Sequence, residues 1–337
     1  MHNRKNLLFC LMTAFIMILC GCGTEKSAQS FFAMNTYMTF TVYGSDSEEI
    51  IHEAQNKVYD LEKLWSVTDT ESDIYNINNS AGEAVTVNEK TTRLIEFALK
   101  MSEKTDGKLD PTLYPVVSAW GFTTGENRIP SKDEISEMLS RTGCENIHIS
   151  GNAITAENGA MLDMGAVAKG YTGDEISEYL IERGVKSALL DIGGNIQAIG
   201  LKPDGTQWQI GLRNPFSDDI LGVLEISDSV VVTSGNYERF FTGDDGRKYG
   251  HIIDSETGYP VENGLASVTI IGKEGKVCDA LSTALFAMGL DGAVGFYRQN
   301  GGFDMIIITE DSKIYVTPDV KFTLYEHYGE MEVFKIE

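Results

Sequence analysis

Basic residues are scarce in this chain: 27 Lys and Arg stand against 50 Asp and Glu among 337 residues, a formal net charge of -23. No footprint for nucleic acid exists on such a surface, and that class of partner is excluded. Cysteine is equally sparse, with five in all and three of them, Cys10, Cys20 and Cys22, near the N-terminus. The other two, Cys144 and Cys278, fit no metal-ligand spacing and are expected to be buried thiols, with a disulfide as the alternative. The chain has no GxxxxGK[ST] loop, no GxGxxG fingerprint, no internal repeat and no long disordered linker, which removes the P-loop and dinucleotide-binding readings. With 42% hydrophobic residues it can bury a large core, as one domain or two closely joined lobes.

What is present starts with a leader. Arg4 and Lys5 precede an apolar run over residues 7–20, shorter than the roughly 20 residues that cross a bilayer, and this is the form of a secretory signal peptide. Leu19-Cys20-Gly21-Cys22 resembles a bacterial lipobox, in which cleavage leaves Cys22 first and acylated with diacylglycerol. A plain signal peptide cut near Gly23, or an uncleaved anchor, is the blander alternative. The division expected is therefore signal peptide 1–21, a lipid-anchored tether 22–30, and one domain 31–337, placed at the bacterial cell membrane on its extracytoplasmic face. Loss of Arg4 and Lys5, with no acid among residues 1–21, takes the charge from -23 to -25. Each buried acyl methylene contributes about 0.8 kcal/mol to membrane binding.

Phe32, Met34, Thr36, Met38, Phe40 and Val42 alternate as in one strand. Ile50, Ile51, Ala54, Val58, Leu61 and Trp65 keep helical spacing, as do Leu94, Ile95, Ala98, Leu99 and Met101. Ser131 with Glu134 has the form of a capping box. Further on, residues 188–192, 196–200, 208–212, 221–226 and 230–233 read as strands, and 171–183, 279–288 and 291–299 as helices. Helices and strands do not alternate one for one, so a mixed α+β fold is expected in place of a doubly wound parallel sheet.

Three segments can carry chemistry. In Asp163-Met164-Gly165-Ala166-Val167-Ala168-Lys169-Gly170-Tyr171 the glycines let backbone approach a ligand, a following helix aims its N-terminal amides at an anion, and Lys169 adds a point charge. Equally, Asp163 caps that helix and Lys169 is solvated. His251-Ile252-Ile253-Asp254, continued by Thr257-Gly258-Tyr259-Pro260, sets one of only five histidines at a strand-to-turn junction, a general-base candidate near neutral pH. Asp254, three residues on, points the other way and is expected to secure the turn; a purely structural His251 carries similar weight. Asp279 and Thr283 lie four apart, on one helix face, and offer the oxygens a hard cation such as Mg²⁺ takes. The competing reading is an N-cap aspartate followed by a back-bonded threonine.

Further segments share an order with these. Gly107-Lys108-Leu109-Asp110-Pro111-Thr112, Ser118-Ala119-Trp120-Gly121-Phe122, Asp191-Ile192-Gly193-Gly194-Asn195 and Thr233-Ser234-Gly235-Asn236-Tyr237-Glu238-Arg239 resemble, together with the first three, the collinear motifs of the ApbE-type flavin transferases over residues 31–290. The resemblance implies an ApbE-like, T-fold-related domain with a mixed sheet. It implies that FAD is contacted by Asp163 and Lys169, and that Mg²⁺ is held by the Ala166 carbonyl, Asp279 and Thr283. By the same token Met34, Ala119, Trp120, Gly121 and Ile253 line the flavin or adenine pocket, with Trp120 a stacking surface, and His251 is the base. Asn35 stands where the family commonly has glycine, Ser255 where it has proline and Ser282 where it has alanine; none removes a ligand.

The activity so implied is Mg²⁺-dependent transfer of FMN from FAD to a Thr or Ser hydroxyl of an acceptor protein, such as a membrane redox-complex subunit, with release of AMP. Two rivals stay open. Water in place of the hydroxyl gives an FAD pyrophosphatase; loss of turnover gives a flavin-binding surface lipoprotein.

Overall fold

The computed structural model describes residues 25–329 and 331–336. The expected signal peptide and the lipidation site Cys22 lie outside them. A nine-stranded sheet runs through the molecule in the order Lys26–Ala33, Thr36–Tyr43, Ser187–Ile192, Asn195–Ile199, Ser229–Gly235, Leu265–Gly272, Asp304–Thr309, Ile314–Val316 and Val333–Lys335. Neighbours are antiparallel until the last pair, which is parallel, so the sheet is mixed.

Strand chemistry decides which face is covered. Met38, Phe40 and Val42 alternate inward beneath Ile51, Ala54 and Val58 of the helix Ser47–Trp65 and Ile176 and Leu180 of the helix Ala168–Glu182. Farther along the same face, Val268 and Ile270 pack with Leu281, Leu285 and Phe286 of the helix Gly275–Asn300. Full burial of each of these side chains other than Ala54 stabilises by about 1.5–3 kcal/mol. The opposite face is capped by a three-stranded sheet ordered Phe322–Leu324, Ile220–Ile226, Trp208–Arg213, whose Ile210, Leu212 and Leu224 meet Val231 and Ile306. A smaller cluster around Trp120, Val116, Ile135 and Ile253 joins the helices Tyr114–Ala119 and Lys132–Leu139 to the rest.

Several expectations are corrected. The segment read as a tether is strand from Lys26 onward, in full register with Thr36–Tyr43; its polar side chains are used, Gln29 Nε2 donating to Gln55 Oε1 at 2.5 Å and Ser27 meeting the Ser47 hydroxyl at 2.8 Å. The single strand expected over residues 32–42 is a hairpin: Met34 and Asn35 turn the chain with φ of 49° and 59°, the left-handed pair a two-residue hairpin loop needs. Cys144 and Cys278 are both free thiols, Cys278 buried and Cys144 only partly so. The two late helices expected over 279–288 and 291–299 are both present, divided at Gly289 where φ is 75° and ψ 177°, but the first begins four residues earlier, at Gly275. Ser131 does cap its helix, its side chain accepting from the Glu134 N–H at 3.2 Å.

Candidate active site

One cavity of about 880 Å³ gathers most of the residues with chemistry, among them Met34, Asp163, Ala166, Lys169, His251, Ile253, Asp279 and Thr283. Its floor and walls come from the hairpin tip, the start of the Ala168–Glu182 helix, the long helix, the His251 loop and the small sheet.

Asp163 neither caps the helix nor lies free. Its Oδ1 accepts from the Gly165 N–H at 2.7 Å and its own N–H donates to the Pro111 carbonyl at 2.8 Å, fixing the turn that feeds the helix. Burial raises its pKa, opposed by the Gly165 N–H and by Arg239 and Lys169 nearby. Lys169 follows in the first helical turn.

The helix amide expected to meet a phosphate meets a carboxylate of the chain itself. Gly170 N–H donates to Asp279 Oδ2 at 2.8 Å. A Cβ on Gly170 would stand 2.2 Å from the Gly275 carbonyl oxygen and 2.6 Å from Asp279 Cβ; the glycine lets two helices touch, not a ligand. Asp279 is therefore no N-cap: its helix begins at Gly275, so the carboxylate emerges in the second turn. Burial pushes its pKa up, while Lys169 and the Gly170 amide draw it down. Thr283 Oγ1, one turn on, lies 3.4 Å from Ser234 Oγ.

These residues fit a hard cation. A buried carboxylate only partly compensated by Lys169, and a hydroxyl on the same helix face, share the cavity with Ala166. Among the described residues no group of three His, Cys, Asp or Glu could hold a metal. Carbonyl, water and substrate oxygens would have to complete the shell, which is the habit of Mg²⁺.

His251 is oriented by a single acceptor. Its backbone N–H and its Nδ1 each lie 3.1 Å from the Arg239 carbonyl oxygen. Nδ1 must carry the proton to make that bond, which leaves the lone pair on Nε2. Burial, with Arg239 and then Lys169 adding positive charge, lowers its pKa from 6.5 to about 4, against the carbonyl contact that raises it. The ring is neutral at neutral pH. Asp254 secures the turn as expected: its Oδ1 accepts from the Glu256 and Thr257 N–H groups, each at 2.9 Å.

Ala119, Trp120 and Gly121 are not brought to the cavity wall; Val117, Phe122 and Thr123 beside them are. Trp120 is fully buried, its Nε1 donating to the Gly258 carbonyl at 2.8 Å and its ring 5.3 Å from that of Tyr249. It is a core residue here, since that hydrogen bond and its aromatic neighbours use both edge and face. Met34 reaches the cavity because its N–H is held by Glu62 Oε1 at 2.6 Å and its sulfur by the Thr172 hydroxyl at 3.5 Å.

Glu238, to which the sequence assigns no role, belongs to the site as well. Burial pushes this carboxyl up to about 7, with Lys169 and Arg213 opposing and Asp279 adding to the rise. It lines the cavity next to Tyr237 and Arg239. The signal available was the acid inside Tyr237-Glu238-Arg239 on the end of a strand rich in valine.

Comparison with known proteins matches the model of the ApbE family to residues 34–307. The chain belongs to the ApbE family. A relative within it, the FAD:protein FMN transferase of Treponema pallidum (strain Nichols), is 30% identical over 341 residues, covering 92% of this chain and 94% of that protein. The FAD:protein FMN transferase of Klebsiella pneumoniae (strain 342) is 34% identical over 259 residues, 75% and 80% of the two chains. The ApbE protein of Thermotoga maritima superposes with a TM-score of 0.81 at 32% identity, over 91% of this chain and 99% of that one. The flavin transferase ApbE of Vibrio cholerae does so with a TM-score of 0.77 at 26% identity, over the same two fractions. The mixed α+β architecture is thus the ApbE fold, unrelated to a P-loop or doubly wound sheet.

Proposed function

We propose that this chain transfers the FMN moiety of FAD to a threonine or serine hydroxyl of an acceptor protein and releases AMP. The observation that carries the reading is the state of His251, a neutral imidazole with Nδ1–H engaged by the Arg239 carbonyl and Nε2 left as the base. The acceptor oxygen attacks the flavin-side phosphorus, the new P–O bond forms as the bridging P–O bond breaks, AMP leaves with the bridging oxygen, and the acceptor proton passes to Nε2. A positioned base of this kind contributes roughly 10²–10⁴ in rate.

Lys169 and Arg239 are cations beside the ring, and both depress its proton affinity. The basicity of His251 with substrate present is set by the net charge that the diphosphate and its cation together add beside those two residues. Asp279, Thr283 and the Ala166 carbonyl would hold Mg²⁺, whose chemistry at such a site is to neutralise charge on diphosphate oxygens. The lipobox-like Leu19-Cys20-Gly21-Cys22 supports attachment through Cys22 to the extracytoplasmic face of a bacterial membrane, where redox-complex subunits would be within reach as acceptors.

The test is incubation of the chain with FAD, Mg²⁺ and a candidate acceptor domain. A protein band with flavin fluorescence that survives denaturation, together with AMP, is expected. AMP and FMN released without any labelled protein would establish hydrolysis instead, and tight FAD binding with no AMP would establish a binding lipoprotein.

A further inference from the structure

The strand Trp208–Arg213 pairs on one side only. It is terminal in its three-stranded sheet, bonded to Ile220–Ile226 and, among the described residues, to no strand beyond. Its side chains alternate, Ile210 and Leu212 buried and Gln209, Gly211 and Arg213 exposed, yet all five consecutive residues line the cavity that contains His251. A strand that presents one face to a cavity lines it with every second residue. Lining by successive residues of both faces means that the cavity runs along the backbone edge itself.

Such an edge carries outward N–H and C=O groups at a two-residue repeat. Proteins commonly blunt exposed edges with proline, lysine or a covering element. This one has neither proline nor lysine, and its only irregularity is a register shift at its far end, between Leu212 and Arg213. The floor beside it is apolar, formed by Ile196 and Val231 of the main sheet, and Ile220, 40% exposed, borders it as well.

We infer that this edge is where the acceptor protein docks, as an extended segment that adds a strand alongside residues 209–213 and thereby delivers its hydroxyl into the His251 cavity. The inference rests on the transferase reading above, which requires a polypeptide to enter this cavity. An extended chain supplies alternating donors and acceptors at the spacing the edge displays, and strand addition is a general mode of peptide recognition. A flavin nucleotide has no such repeat. Recognition through main chain also leaves the acceptor's side chains free to vary around one required hydroxyl.

The experiment uses the full chain with FAD, Mg²⁺, a folded acceptor domain and a library of peptides of about ten residues, a typical upper length for a strand, each with one central threonine. Flavin-labelled peptides are then remade with single backbone N-methyl groups at each position. Transfer should fall by about tenfold at alternate positions, the effect of losing one well-made hydrogen bond, and be little changed at the positions between. Amide exchange over residues 209–213 should slow when FAD and a peptide with valine in place of the threonine are both present, and not with FAD alone. Suppression without a two-residue period, equal protection by FAD alone, or labelling of the folded domain but of no peptide would each overturn the docking mode. Labelling of neither the domain nor any peptide would overturn the transferase reading itself.

Discussion

Gly170 and Asp279 hold each other's helices: the Gly170 N–H donates to Asp279 Oδ2 at 2.8 Å, and the return contact comes from Asp174, whose carboxylate accepts from the Gly275 and Lys276 N–H groups at 2.6 and 3.0 Å. Each helix thus caps the start of the other with an anion, at the end where the helix dipole favours one. Lys169 and Asp279 face the same cavity because of this exchange.

Replacing Gly170 with alanine drives a methyl to 2.2 Å from a backbone carbonyl that has no room to retreat. The expected result is a loss of at least about 2 kcal/mol of stability, within the range for overpacking, and a large fall in turnover. Asp174→Ala should cost about 1–3 kcal/mol by leaving two amides without acceptors. Denaturant unfolding measures both, and a Gly170→Ala protein of native stability would show the contact to be yielding.

His251→Ala should reduce the rate of transfer by roughly 10²–10⁴ while FAD affinity, measured by fluorescence quenching, changes little. His251→Gln is the informative companion. It can keep a donor toward the Arg239 carbonyl but brings no titratable base, so it should be as inactive as alanine. Near-native turnover in either variant would remove His251 from the chemistry.

The pH dependence follows in sign from the His251 shift. Its pKa lies near 4 in the folded chain against 6.5 as a reference, so between these values the unfolded state binds more protons. The resulting stability is complete above about 6.5, the unfolded value, and is lost as pH falls toward 4. His251→Phe should flatten that part of the stability curve.

Local patterns carried far into this fold, and failed where a distant partner supplied the physics. Strands such as Trp208–Arg213 and Ser187–Ile192 were legible from apolar alternation, and the Ser131 cap from its own side chain. Asp279 looked like a helix start because the true cap, Asp174, sits 101 residues from Gly275. The polar segment at Lys26 looked like a tether because its strand is an edge, with solvent on one side and Gln55 and Ser47 on the other. In the site, His251, Lys169, Asp279 and Thr283 were legible as residue types at meaningful positions. The raised pKa of Glu238 was not, since it arises from burial that only the assembled cavity creates.

Trp120 separates motif from contact. Its ring is in the core with Nε1–H given to the Gly258 carbonyl. Trp120→Phe should therefore destabilise by about 1–3 kcal/mol through the unsatisfied carbonyl and the lost volume, with the KM for FAD within about twofold of native, far below the effect of removing a stacked ring. A selective rise in KM at unchanged melting temperature would return Trp120 to the nucleotide site.

Asp279→Asn isolates the charge at the proposed cation site from the architecture around it. The amide keeps an oxygen for the Gly170 N–H, so the helix contact survives. Burial already disfavours the charged form of Asp279 more than Lys169 and the Gly170 amide favour it, so removing the charge costs the fold little and the melting temperature should hold or rise. The Mg²⁺ concentration needed for half-maximal transfer should increase by more than about tenfold, since one anionic oxygen ligand of a weakly furnished site is gone. Chelation should abolish transfer by the native chain and Mg²⁺ should restore it. An Asp279→Asn protein with native Mg²⁺ dependence would place the cation elsewhere in the cavity.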